Sequence, residues 1–264
     1  MRIMVHAGFH KTGTTTIQQT LRRNGRKLAR HCRVLTRVQI APVCEAARAA
    51  SVDDDPAAMA LFTFELAQML AGLDPADPRP VLISSEDLSG HMPGRFGLTG
   101  YSAAPRLMRC IAQTAARVLP GAATEFFFTT RAAGPWVKSC HAQHVRAIRF
   151  TEDRDSYVAR MMPHADLAAE VARIGAGLDA PVHSAALEAW STDRLGPLAP
   201  LMARMQMPQA LCDSLTPVGR ANPSFPDHVL GQMLALNRSD LPRAEWVAAK
   251  KALMEDWRAG QGQE

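Results

Sequence analysis

The chain has 264 residues, 47% of them hydrophobic, with 30 basic and 25 acidic side chains and a formal charge of +5. This composition supplies the apolar material of a folded, enzyme-sized chain and argues against overall disorder. The charge excess suits anionic ligands, but it is mild and dispersed and lacks a basic stripe with interleaved aromatics, so no nucleic-acid partner is expected. No apolar run approaches the ~18 to 20 residues that cross a bilayer, and no signal-peptide core is present, so no membrane span is expected. Five cysteines, Cys32, Cys44, Cys110, Cys140 and Cys212, show neither C-x-x-C pairs nor metal-ligand spacing. They read as free thiols of a cytoplasmic protein, with no metal site.

In chain order, the first strand is the apolar run Ile3-Met4-Val5, which breaks at glycines and feeds a predicted helix from Thr14 to Ala29. A second helix is predicted from Pro56 to Ala71, with Asp53, Asp54 and Asp55 as cap candidates. Asp74 to Pro80 reads as a surface loop. Val81-Leu82-Ile83 is the next strand, and a glycine-rich loop from Gly90 to Gly100 follows its polar end. A helix from Pro105 to Leu119 leads to the strand Glu125 to Thr129, and a further helix is predicted after Arg131. Val182 opens another short strand. The remainder is mainly helical, with stretches near Thr192 to Met205, Asp227 to Leu236 and Arg243 to Arg258. Short, almost uniformly apolar strands alternating with helices predict a parallel sheet covered on both faces. The expected fold is therefore α/β, a three-layer P-loop NTPase-like parallel sheet flanked by helices, with a mainly helical C-terminal part. No internal repeat or low-complexity segment appears, so a single domain spanning 1–264 is expected.

Three places along this framework carry chemistry. The first is His6-Ala7-Gly8-Phe9-His10-Lys11-Thr12-Gly13-Thr14-Thr15-Thr16. A strand that turns at glycines into a helix aims backbone N–H groups and the positive helix end at one point, which favours a phosphate or sulfate. Lys11 adds a cation and Thr14 to Thr16 add hydroxyls. The nucleotide P-loop reads G-x-x-x-x-G-K-[ST]. Here Gly8 and Gly13 keep that spacing, but Thr14 stands where the lysine belongs and Lys11 lies two residues before Gly13. The second place is Arg131, at the carboxyl end of the Phe-rich strand, with Ser139 eight residues later; a guanidinium there can grip a phosphate through two parallel bonds. The third is Glu86, after Val81 to Ser85, which reads as a general base, as a Walker-B-like Mg²⁺ ligand together with Asp87, or as a plain helix cap. His10 in the first loop and His91 in the glycine-rich loop are the histidine alternatives for the base. His141 and His144, three apart, read as a helix-surface or ligand-rim pair rather than a zinc site.

The core Lys11-Thr12-Gly13-Thr14-Thr15 resembles the 5′-phosphosulfate loop of the sulfotransferases, and Arg131 with Ser139 resembles their 3′-phosphate motif. The turn Arg131-Ala132-Ala133-Gly134-Pro135 departs from the Arg-Asp-Pro or Arg-Asn-Pro common in that family. The resemblance implies an enzyme that moves a sulfuryl group from 3′-phosphoadenosine-5′-phosphosulfate, PAPS, to an acceptor hydroxyl or amine of a small molecule, lipid or carbohydrate. It leaves 3′,5′-adenosine bisphosphate and needs no metal. By the same resemblance, His10, Lys11, Thr12, Gly13, Thr14, Thr15 and Thr16 hold the 5′-phosphosulfate, and Lys11 is also catalytic. Arg131 and Ser139 hold the 3′-phosphate. A late loop, Pro217 to Ser224, resembles the family's nucleotide-covering loop through Arg220, Asn222 and Ser224. Residues 1–150 then form the donor-binding core and 151–264 a mostly helical remainder. The alternatives are a P-loop kinase-like phosphotransferase and a catalytically silent nucleotide-binding protein.

Overall fold

The computed structural model describes residues 1–219 and 225–261. Contacts divide the chain into two compact units, Met1–Ala133 with Asp166–Ala221, and Gly134–Ala165 with Asn222–Glu264.

The first unit holds five strands, β1 (Arg2–His6), β2 (Arg33–Thr36), β3 (Val81–Ser84), β4 (Ala123–Thr130) and β5 (Val182–Ala186), in the spatial order β2-β3-β1-β4-β5. Every pairing is parallel; Ile3 of β1 stands opposite Val81 on one side and Thr124 on the other. Its helices are α1 (Thr14–Arg23), α2 (Gly25–Leu28), α3 (Ala41–Val52), α4 (Pro56–Ala71), α5 (Ala104–Val118), α8 (Leu167–Ala176), α9 (Leu198–Arg204) and α10 (Gln209–Ser214). The middles of the central strands are apolar because neither face meets water there. Ile3, Met4, Val5, Val81, Leu82, Ile83 and Phe126 to Phe128 are all buried. Met4, Leu82 and Phe127 pack with Ile17 and Leu21 of α1 and with Leu198, Leu201 and Met202 of α9. Each such side chain contributes about 1.5 to 3 kcal/mol through burial.

The sheet matches the sequence reading, with corrections at its edge. The strand Arg33–Thr36 and the helix Ala41–Val52 were not expected. β2 is a short edge strand that begins and ends with polar residues, so its apolar signal is only two residues long. The helix expected from Thr14 to Ala29 is interrupted at Asn24, whose side chain donates to Thr20 O and Thr216 O instead of facing solvent. The helix expected over Thr192 to Met205 starts only at Leu198. Asp55 caps α4 by accepting from Ala57 N at 2.9 Å.

The second unit is helical, with α6 (Ala133–Ala147, its first residue in the first unit), α7 (Arg154–Met161), α11 (Asp227–Arg238) and α12 (Arg243–Gln261). Its small core joins Val145, Val229 and Met233 to Phe150, Leu230, Leu253 and Trp257. Two buried polar side chains close the end of α6. Asn237 donates to Val145 O and Phe150 O, and Lys250 donates to Val145 O and Ile148 O while lying 4.6 Å over the Trp246 ring. Carbonyls in a last helical turn lack helical donors, and these two side chains supply them. Burial lowers the Lys250 pKa to about 8.

Candidate functional site

In an open parallel sheet, ligands bind beyond the carboxyl ends of the strands, where neighbouring connections depart in opposite directions. Here the chain leaves β1 toward β2 and leaves β4 toward β5, so the switch point lies between β1 and β4. The segment Ala7–Gly13 occupies that point, and α1 starts directly behind it. Gly13 is the residue before the helix, at φ 95°, with no side-chain cap and no acidic residue in the first turn. The N–H groups of Gly13 to Thr16 are thus donors without helical acceptors, at the positive end of the helix. A side chain at Gly13 is strained by its φ and crowded, since an added Cβ would lie 3.0 Å from both Leu187 Cδ1 and Pro197 Cγ.

Lys11 also has a left-handed φ, 68°, which costs a non-glycine residue on the order of 1 to 3 kcal/mol. Neighbours on both sides hold the loop in this shape. Ser89 donates to Ala7 O and Gly8 O, and His10 N donates to the Tyr101 hydroxyl at 2.9 Å. Thr12, fully buried, donates to Phe9 O at 2.6 Å and shares a 2.7 Å hydrogen bond with Thr129 of β4. Arg131 Nη1 donates to Lys11 O at 3.1 Å. The loop's shape therefore precedes any ligand, and an anion would meet donors already in place. Beneath it His6 is fully buried, bonded through Nδ1 to Ser84 Oγ at 2.8 Å, and burial lowers its pKa to about 4.

On the β3 side a single 3₁₀ turn, Glu86–Ser89, carries two carboxylates with different surroundings. Glu86 is half-buried, and its Oε2 accepts from Gln18 Nε2 of α1 at 2.6 Å. Asp87 is buried and faces three cationic or titratable groups: Arg37 Nε at 2.7 Å, His10 Nε2 at 3.6 Å and Arg48 Nη1 at 3.7 Å. Burial opposes its ionisation, but the hydrogen bond and charge of His10 with Arg48 and Arg37 prevail, holding its pKa below the ordinary carboxylate value. Asp87 is thus a weak base anchored to arginines, whereas Glu86 has one neutral amide partner. His91 N donates to Ser51 Oγ and its ring lies 4.7 Å from Phe96. Burial first, then Arg48, His10 and Arg95, lowers the His91 pKa to about 4. Cys44, 3.2 Å from Ser85 Oγ, has its thiol pushed up to about 12 chiefly by burial, and Cys32 rises to about 11 for the same reason. All five cysteines are free.

The structure therefore brings His10, Lys11, Thr12, Gly13, Thr14, Arg131 and Glu86 to one edge of the sheet. Ser139 lies in the second turn of α6, in the second unit, and Arg220, Asn222 and Ser224 lie outside the described residues. His141 and His144 are corrected: instead of a surface or rim pair they are buried in the second unit against Phe150 and Tyr157, with His141 Nε2 3.0 Å from Glu152 O. Sequence reasoning missed Gln18, Arg37 and Arg48. Gln18 had a readable signal, since it stands one turn beyond Thr14 on the same helix face; the two arginines had none, because β2 and α3 were themselves missed. Among the described residues no group of three His, Cys, Asp or Glu side chains is placed to hold a metal ion, and no helix is long and apolar enough to cross a membrane. No family model, curated protein or solved structure matches this chain.

Proposed function

We propose that the protein is a sulfotransferase that moves the sulfuryl group of PAPS to an acceptor hydroxyl or amine. The observation that carries this reading is the uncapped start of α1 at the sheet's switch point, with strained Lys11 before it and Arg131 fastened to the same loop. In this reading the N–H groups of Gly13 to Thr16 hold the 5′-phosphosulfate, and Lys11 neutralises the charge that gathers on the leaving phosphate oxygen. Glu86 takes the acceptor proton as the new O–S bond forms. The bond between sulfur and the phosphate oxygen breaks, and its electron pair leaves with 3′,5′-adenosine bisphosphate. Arg131 binds the 3′-phosphate with the guanidinium donors that Lys11 O does not use. Positioning and a preset electrostatic field supply most of the acceleration.

The kinase-like alternative asks Glu86 or Asp87 to hold Mg²⁺. Asp87 is already committed to Arg37 and Arg48, and Glu86 to Gln18, which favours the sulfuryl reading. Two measurements test it. Calorimetry with 3′,5′-adenosine bisphosphate should show binding, tighter than for adenosine 5′-phosphosulfate. Transfer of ³⁵S-sulfate from PAPS to an acceptor panel should persist in EDTA. Tight, Mg²⁺-dependent binding of ATP with none of the bisphosphate would transfer the protein to the kinase class.

A further inference from the structure

The cations around Asp87 exceed what Asp87 needs. Arg37, half-exposed beyond the end of β2, spends Nε on Asp87, and Arg48 of α3 approaches the other carboxylate oxygen at 3.7 Å, beyond hydrogen-bond length. A guanidinium carries five N–H donors. Among the described residues neither side chain has a further protein acceptor in hydrogen-bond range, although Arg48 is only 27% exposed. Guanidinium donors that a shared carboxylate leaves unused, and that solvent can reach, are open to a second anion. Arg95 of the glycine-rich loop adds a third positive field, felt at His91 together with that of Arg48. The opposing carboxylates are Asp87, whose single charge faces two arginines, and Glu86, which becomes neutral when it accepts a proton.

We infer that Arg37 and Arg48 form an acceptor subsite for an anionic oxygen group, a carboxylate or sulfate carried beside the hydroxyl that receives the sulfuryl group, as on an acidic sugar. The inference rests on the sulfotransferase reading, which places the reacting hydroxyl at Glu86. Glu86 and Asp87 are consecutive residues of one short turn, so the hydroxyl at the first and the anion beside the arginines of the second belong to one small acceptor or one sugar unit. Forked arginine donors match the geometry of both carboxylate and sulfate. The positive field also grows during transfer, as Glu86 loses its charge, so the anion is held most tightly when the proton has moved.

The test uses matched acceptors that differ in one charge: phenyl β-glucuronide against phenyl β-glucoside, and heparosan against carboxyl-reduced heparosan. A sulfated against an unsulfated disaccharide separates sulfate from carboxylate as the preferred anion. With PAPS as donor, the acidic member of at least one pair should show kcat/KM about tenfold or more above its neutral partner. That ratio should fall toward one in Arg37→Gln and in Arg48→Gln. Because each change disturbs buried Asp87, Arg37→Lys is measured alongside; it keeps the charge, loses the fork and should give an intermediate ratio. Ratios near one for every pair in the unmodified enzyme, or a preference that survives both glutamine variants, would overturn the subsite. If no acceptor is turned over, the same acids are titrated into the enzyme saturated with 3′,5′-adenosine bisphosphate. Binding weakened about tenfold by Arg37→Gln supports the subsite, and absence of binding overturns it while leaving the donor site standing. Failure of the bisphosphate itself to bind is the separate result that sinks the sulfotransferase reading.

Discussion

The two sides of the β1 carboxyl end are built differently. On the β4 side, backbone does the work: loop Ala7–Gly13 and the start of α1 offer N–H groups, and Thr12 and Arg131, with Ser89 and Tyr101 reaching across from the β3 side, fix their positions. On the β3 side, long side chains do it. Arg37, Arg48 and Gln18 converge on two adjacent carboxylates from three separate elements. Under the proposed sulfotransferase reading, a donor whose phosphosulfate never changes suits a fixed cradle, whereas an acceptor site is set by side chains that can change without moving the sheet. The contrast predicts that lesions on the two sides will separate binding from rate.

The largest effect should come from Glu86→Gln, which keeps the size and the Gln18 contact but removes basicity. Turnover should drop roughly 10²- to 10⁴-fold while 3′,5′-adenosine bisphosphate still binds. Near-normal turnover in this variant, with loss in His91→Ala or His10→Ala, would move the base to a histidine. Arg131→Ala tests the opposite side. It should weaken 3′,5′-adenosine bisphosphate by about 2 to 4 kcal/mol and barely change adenosine 5′-phosphosulfate. Equal losses for the two ligands would place Arg131 at the loop, where it already bonds Lys11 O, and not at the 3′-phosphate.

Acid should also distinguish the sides. His6 is buried neutral beneath the loop with a pKa of about 4 against an ordinary 6.5, so the unfolded chain binds more protons between those values. Stability should therefore fall as pH drops from 6.5 to 4, by on the order of 2 to 3 kcal/mol, with His91 adding to the slope. Asp87 acts with the same sign in a lower window: its depressed pKa stabilises the fold above the ordinary carboxylate value, and that stabilisation is lost only as pH falls below it. Denaturant titrations across pH should show a shallower slope from 6.5 to 4 in His6→Asn than in the unmodified protein. A slope unchanged by His6→Asn would remove His6 as its source.

The smallest stability change is expected at a strained position of the loop itself. Lys11→Gly removes the cation but relieves the left-handed φ, so turnover should fall about 10²-fold while unfolding free energy changes by no more than about 1 kcal/mol. Loss of both activity and stability would mean that Lys11 is a structural residue of the loop.

Sequence alone determined the features that depend on neighbours along the chain. Apolar runs at Ile3, Val81 and Phe126 require burial on both faces, and the order of strands and helices then leads to a parallel sheet flanked by helices. Gly8 and Gly13 around Lys11 mark a turn into a helix because a left-handed φ and a close backbone approach leave a local signature. Arg131 was legible for the same reason, as the first long polar side chain after a buried strand. Tertiary structure decided everything that joins distant residues. Nothing local distinguishes Glu86 from Asp87, yet one meets an amide and the other two arginines. Nor does the helical spacing of His141 and His144 reveal that the aromatic rings of Phe150 and Tyr157 cover them. Arg37 and Arg48 reach Asp87 only because β2 pairs with β3 and α3 packs beside the Glu86–Ser89 turn. A charge's partner is fixed by such packing, and with it the charge's role, because electrostatic interactions depend on distance in space and not along the chain.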